Sequence, residues 1–199
     1  MPLLPIDIPA LLLATGYLGL FCMVFAESGL FFGFFLPGDS LLFTAGLLAA
    51  NGTFNIAALL IVLPIAAMLG DSVGYWFGSW VGPHIFIKDN SLFFDRRHAL
   101  RAKEFYEKYG PRAIILARFV PMVRTFVPIV AGVGSMKYAT FVTYNVIGGL
   151  LWGTLLPSLG YFLGRAFPST QHYLTLIIAL IIVISFLPIA REWWLQRKK

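Results

Sequence analysis

Five ionisable residues stand in otherwise apolar stretches of this chain: Glu27, Asp39, Asp71, Arg118 and Arg124. A charge at the centre of a lipid-facing helix costs about 2.5–3.5 kcal/mol on insertion scales, so all five should face protein or water. Their chemistry is complementary. Burial raises a carboxylate's proton affinity and a nearby guanidinium lowers it, which suits Glu27 and Asp39 to exchanging a proton or another cation. Planar guanidinium forks suit Arg118 and Arg124 to binding a phosphate. The same four residues could equally neutralise one another as a buried network holding the fold together. Asp71 stands apart as a secondary candidate, for which capping or local pairing is the plainer reading. Asn145 is another, more in keeping with an interhelical hydrogen bond than with a ligand.

The acids flank a break. On one straight helix Glu27 and Asp39 would lie about 18 Å apart at 1.5 Å per residue. Pro37 and Gly38 interrupt that helix and let the chain fold back, with Asp39 or Ser40 expected to cap the returning half-helix. The arginines flank a second break at Pro121, with Thr125 expected as a cap and Pro128 in the first turn after it. Two guanidiniums beside the N-terminus of a half-helix would cradle a phosphate.

The elements that carry these residues are membrane elements. Hydrophobic residues make up 59% of the chain and charged residues only 12%, far below the roughly 25% usual in soluble domains. The 19 phenylalanines and 19 glycines fit helices that face lipid and pack closely on small residues. The 199 residues leave room for a single membrane domain. Residues 1–26 contain no Lys or Arg, so no cleavable signal is expected. Bulky Phe21 before Cys22 argues against a lipoprotein cysteine, and one cysteine makes no internal disulfide.

An internal repeat organises the whole. At a shift of 86 residues, Ala45-Gly46 falls on Ala131-Gly132, and the phrase 74–78 falls on 160–164, each beginning Gly-Tyr and ending in Gly. Each half reads as an interrupted segment followed by one long span. Neither 27–50 nor 113–135 offers about 20 unbroken apolar residues on each side of its breaks, so both are expected to be re-entrant hairpins. The expected fold is an all-α integral membrane protein of two inverted repeats. Repeat 1 covers 10–82, with a hairpin at 27–50 and a transmembrane helix at 54–82. Repeat 2 covers 113–164, with a hairpin at 113–135 and a transmembrane helix at 138–164. A last transmembrane helix follows at 172–190. Discontinuous helices in inverted repeats are a transporter pattern, and the breaks point to the binding site.

Charge sets the expected orientation. Seven of the 15 basic residues lie between Lys88 and Arg112, and four more follow the last apolar segment, so both stretches should face the cytoplasm. The connector 88–112 gathers Phe94, His98, Phe105, Tyr106 and Tyr109 on one side and its Lys, Arg and Glu residues on the other. It reads as an amphipathic helix on the membrane surface or on the protein's own base. A pI near 9.6 is explained by this bias, and no nucleic-acid partner is expected. His84, His98 and His172 fall at membrane edges, and no metal cluster or nucleophile motif is visible, so neither a cofactor nor an enzymatic role is expected. A homo-oligomer stays open.

The phrase 35–42, Phe-Leu-Pro-Gly-Asp-Ser-Leu-Leu, resembles the first signature of the DedA family, whose members carry a SNARE-associated Golgi protein domain. The run from Ala117 to Phe126, followed by Ala131 to Met136, resembles the second, and Tyr144 to Gly148 and Gly160-Tyr161 continue it. The match covers about 20–190 and is specific enough to place the chain near the DedA subgroup. The resemblance implies a bacterial inner-membrane protein with two re-entrant hairpins, related to eukaryotic lipid scramblases. It also implies a flippase role in returning undecaprenyl phosphate for envelope synthesis, driven by the proton gradient. The family's functional acids match Glu27 and Asp39, and its functional arginines match Arg118 and Arg124. The residues taken alone also allow a proton-coupled cation or drug antiporter, or a broad-specificity phospholipid scramblase.

Overall fold

The computed structural model describes residues 8–30, 38–85 and 110–167, all helical apart from turns. The connector 88–112 except its last residues, the helix expected at 172–190 and the break residue Pro37 lie outside the described residues. Among the described residues there are six helices: α1 (Ile8–Gly29), α2 (Gly38–Ala50), α3 (Ile56–Ile85), α4 (Arg112–Ala117), α5 (Pro121–Val133) and α6 (Tyr138–Ala166). Three stretches of the described residues are long and apolar enough to cross a membrane: Pro9–Gly29, Ile56–Val81 and Tyr138–Ala166. Along them Leu18, Ile61 and Phe162 are 60–74% exposed, as side chains facing lipid or a partner protein are.

Element boundaries follow local chemistry. α2 ends in a Schellman motif, in which Gly52 N donates to Ala49 O and Thr53 N to Leu48 O, both at 3.1 Å. Gly52 has φ 81°, the left-handed conformation this cap requires. α3 then starts from Asn55, whose Oδ1 accepts from the amides of Ala57 at 2.9 Å and Ala58 at 3.3 Å, the usual N-cap arrangement. α4 and α5 are separated by Arg118–Val120. Val120 is extended (φ −117°, ψ 105°) and Pro121 opens α5, because a residue before proline avoids the helical region and proline's missing amide costs nothing at the first position.

Several expected positions differ. α1 is kinked at Gly16 (φ 60°) but continues through Glu27, so Glu27 closes a long helix and does not open a separate segment. Thr125 does not cap α5: the helix already begins at Pro121, Val120 is its cap residue, and Thr125 lies in its second turn. Pro128 is consequently mid-helix. α2 and α5 are both 13 residues long, but α6 reaches its Gly-Tyr phrase after residues 138–159 where α3 needs only 56–73. That difference is about one helical turn.

Pairs of close contacts fix helix directions. α3 and α6 are antiparallel: Gly153 meets Pro64, and Asn145 reaches Met68. α2 runs parallel to α6, with Asp39 beside Trp152, Gly46 beside Pro157 and Ala50 beside Gly164. α5 runs parallel to α3, with Pro128 beside Gly74 and Gly132 beside Ser79. α1 also follows α3, from Tyr17 at Asn55 to Gly29 at Gly70. The two 13-residue helices, α2 and α5, thus each pack on the long helix of the other half, while α4 packs on α6 of its own. Where these contacts are closest, at Gly46, Gly78, Gly132 and Gly160, an added Cβ would strike the neighbouring backbone. The consequence for function is positional: α1 ends, α2 begins and the α4–α5 break falls beside the middle turns of α3 and α6.

Candidate functional site

Around that meeting point the described residues build two buried charge clusters, with α6 contributing to both and α3 to the second. In the first, Arg124, in the first turn of α5, is gripped by two acids. Its Nη2 donates to Glu27 Oε1, and its Nη1 donates to Asp39 Oδ1 at 2.8 Å. Trp152 on α6 completes the grip: Nε1 donates to the same Asp39 oxygen at 2.9 Å, and the guanidinium carbon sits 4.4 Å from the ring centroid. A desolvated cation–π contact of this kind is worth about 2 kcal/mol.

Gly38 sits at the hinge of this cluster. Its amide hydrogen-bonds the Glu27 carboxylate, and a Cβ there would overlap that carboxylate. The acid that meets the N-terminus of α2 is therefore Glu27, a carboxylate where the helix dipole favours one. Asp39 was an expected cap, but its carboxylate is turned to Arg124 and Trp152. Ser40, the other expected cap, is buried within the first turns of α2.

The second cluster centres on Arg118, which caps the C-terminus of α4. Its Nη2 donates to Asp71 Oδ2 on α3 and to Asn145 Oδ1 on α6. Asn145 is itself held by donating Nδ2 to Met68 O at 3.0 Å. Asp71 is thus a tertiary partner of Arg118, not a local cap, and Asn145 is both an interhelical bond and an arginine partner. The Arg118 side chain fits because α6 has no side chain at Gly148, where a Cβ would come within 2.9 Å of Arg118 Cδ; Gly149 beside it makes room for Met68 of α3.

The stoichiometry is unequal. Glu27, Asp39 and Asp71 face Arg118 and Arg124, and two of the three acids share Arg124. Several buried polar atoms also lack partners: Arg118 Nε and Nη1, Arg124 Nε, Asp71 Oδ1, and the hydroxyls of Ser28, Thr44 and Thr125. Together with α5, which starts without a side-chain cap, they supply donors for an anion and acceptors for a proton. Among the described residues no group of three or more His, Cys, Asp or Glu is gathered as metal ligands would be.

The ionisable candidates gather into these two neighbouring clusters, Glu27 and Asp39 on Arg124, and Asp71 with Asn145 on Arg118. Trp152 was missed by the sequence reading. Its signal was present, since an indole N–H inside an apolar helix needs an acceptor. Gly148 and Gly149 carried no comparable signal, because what they make room for comes from another helix.

A model of the VTT domain matches residues 36–162. The chain is 49% identical over 174 residues to Protein DedA of Escherichia coli K12, covering 86% of this chain and 79% of that protein. It is 43% identical over 172 residues to an uncharacterized membrane protein of Mycobacterium leprae, covering 86% and 77%. It is 37% identical over 149 residues to the inner membrane protein YqjA of Escherichia coli K12, covering 75% and 68%. No solved structure matches.

Proposed function

Since this chain belongs to the DedA family of VTT-domain membrane proteins, we propose that it moves a phosphate-bearing lipid across the bacterial inner membrane, with undecaprenyl phosphate as substrate and the proton gradient as drive. The headgroup phosphate sits against Arg118 and Arg124 at the start of α5, and the polyprenyl tail stays in lipid. Glu27 and Asp39 exchange the proton. No bond in the substrate is made or broken.

One observation carries this reading: two helix breaks meet beside the middle of two long antiparallel apolar helices, and each break brings its own charges. We read the segments 27–50 and 113–135 as re-entrant hairpins of two inverted repeats, a reading that the packing of α2 on α6 and of α5 on α3 supports. Two acids on one arginine leave one negative charge in excess at Arg124. A buried uncompensated charge is expensive, so that pair has reason to hold a proton in one state and release it in another. Unfilled guanidinium N–H groups give a phosphate somewhere to bind.

The test is translocation of a labelled polyprenyl phosphate in proteoliposomes, with and without an imposed pH difference. Arg118→Lys and Arg124→Lys keep charge but lose the planar fork, and should fold normally while transport falls at least tenfold. Glu27→Gln and Asp39→Asn should remain folded and lose the response to the gradient. Lysine variants that transport like the parent would make the arginines counter-charges only. That outcome favours the second reading, a proton-coupled cation antiporter, which draws support from both arginines already being engaged by carboxylates. Gradient-independent movement of many phospholipids would instead identify a scramblase.

A further inference from the structure

Asp71 is the buried acid that the proposed transport cycle leaves without a task. It sits halfway along α3, 2% exposed, with Oδ2 on Arg118 and Oδ1 without any partner. Arg118 is equally incomplete: Nη2 serves Asp71 and Asn145, while Nε and Nη1 donate to nothing and are buried. An arginine held to bind a planar or tetrahedral oxyanion uses several N–H groups at once. Here Nη2 meets one carboxylate oxygen and one amide oxygen, and Nε and Nη1 are idle.

We infer that Asp71 is an internal substitute for the substrate phosphate on Arg118, and that it takes up a proton when a phosphate monoester displaces it. The inference rests on the reading of Arg118 as a phosphate-binding residue. Its logic is charge conservation in a dry site. Before exchange, Arg118 is balanced by the Asp71 carboxylate. If a phosphate monoanion entered beside an ionised Asp71, two negative charges would share one guanidinium. If Asp71 left without a proton, it would be a buried carboxylate with no counter-charge. One proton from solvent, bonded to the Asp71 carboxylate, removes both problems: the phosphate monoanion replaces the carboxylate, and the net charge of the cluster is unchanged.

The groups facing Asp71 allow this. Arg118 approaches from the end of α4, and Arg124 acts on it from α5. α6 brings Asn145, which is neutral and anchored to Met68. α1 brings Ser28 near the preceding Gly70, and Glu27 and Asp39 are bound to Arg124. Asn145 is suited to keep Arg118 in place while its anionic partner changes, because its hold on α3 does not depend on charge.

The probe is octyl sulfate, whose charge does not titrate, with octyl phosphate and inorganic phosphate as competitors, all measured on the full chain in lipid nanodiscs. The natural sequence should bind octyl sulfate at least tenfold more weakly at pH 8 than at pH 5. Asp71→Asn should bind it at least tenfold more tightly than the parent at pH 8, with affinity nearly flat across pH. Leu159→Ala, on the exposed side of α6, should keep the parent's affinity and pH dependence. If Arg118→Gln binds like the parent, the reading of Arg118 as a phosphate residue fails and this inference with it. If binding needs Arg118 but Asp71→Asn leaves affinity and pH dependence unchanged, the inference alone is overturned. Inorganic phosphate should compete more weakly than octyl phosphate, and equal competition would overturn the assignment to a lipid headgroup. Should Asp71→Asn not fold, calorimetry on the natural sequence in two buffers of different ionisation enthalpy decides: about one proton taken up per octyl sulfate supports the inference, and none overturns it.

Discussion

Arg124 is the residue whose removal should damage the fold most, and by an amount its surroundings fix. It carries two acids, Glu27 and Asp39, with the Arg124 and Glu27 side chains each 2% exposed and Asp39 at 20%. Arg124→Gln keeps a hydrogen-bonding group but leaves both carboxylates without a counter-charge. Breaking a buried pair by removing one partner costs about 3–5 kcal/mol, and the contact with Trp152 adds about 2 kcal/mol to that. Glu27→Gln and Asp39→Asn act in the opposite sense. Each loses a charge-assisted hydrogen bond worth about 1.5–3 kcal/mol but also removes the excess negative charge, so the net loss should stay under about 1.5 kcal/mol. The assay is unfolding of purified protein in mild detergent, followed by denaturant titration across pH. Arg124→Gln should be the least stable of the three, and its deficit should shrink on acidification, because protons then neutralise the two stranded carboxylates. If Arg124→Gln is as stable as Glu27→Gln, or if its deficit is independent of pH, the two-acids-on-one-arginine account is wrong.

Two further outcomes follow from the same geometry. Gly148→Ala should place a methyl against Arg118, costing about 1–3 kcal/mol as overpacking does, and should reduce lipid-phosphate transport by more than that loss explains; Ile147→Ala, exposed one residue earlier, should do neither. Cysteines introduced at Lys103 and Lys198 should be labelled only from the cytoplasm and one at Ser169 only from outside, and labelling of positions 103 and 198 from opposite faces would end the inverted-repeat reading.

Much of this protein can be read locally. Low charge, long apolar runs and the proline-glycine breaks are enough to require membrane helices and to mark where they are interrupted, since each depends on neighbouring residues alone. The turn at Gly52 and the start of α5 at Pro121 follow from single-residue backbone preferences. The four principal charges announce themselves because lipid tolerates none of them unpaired. Their pairing is another matter. Glu27 and Asp39 meet the same arginine, while Arg118 takes Asp71 from a helix that neither hairpin contains. Thr125 loses its expected capping role because the helix starts one turn earlier. Trp152 joins Asp39 across 113 residues of sequence, and Gly148 matters only for the side chain that another helix lays against it. Composition and spacing say that buried charges need partners. Which partner each obtains is decided by the order in which α2 packs on α6 and α5 on α3, and that order depends on contacts between residues far apart in the chain.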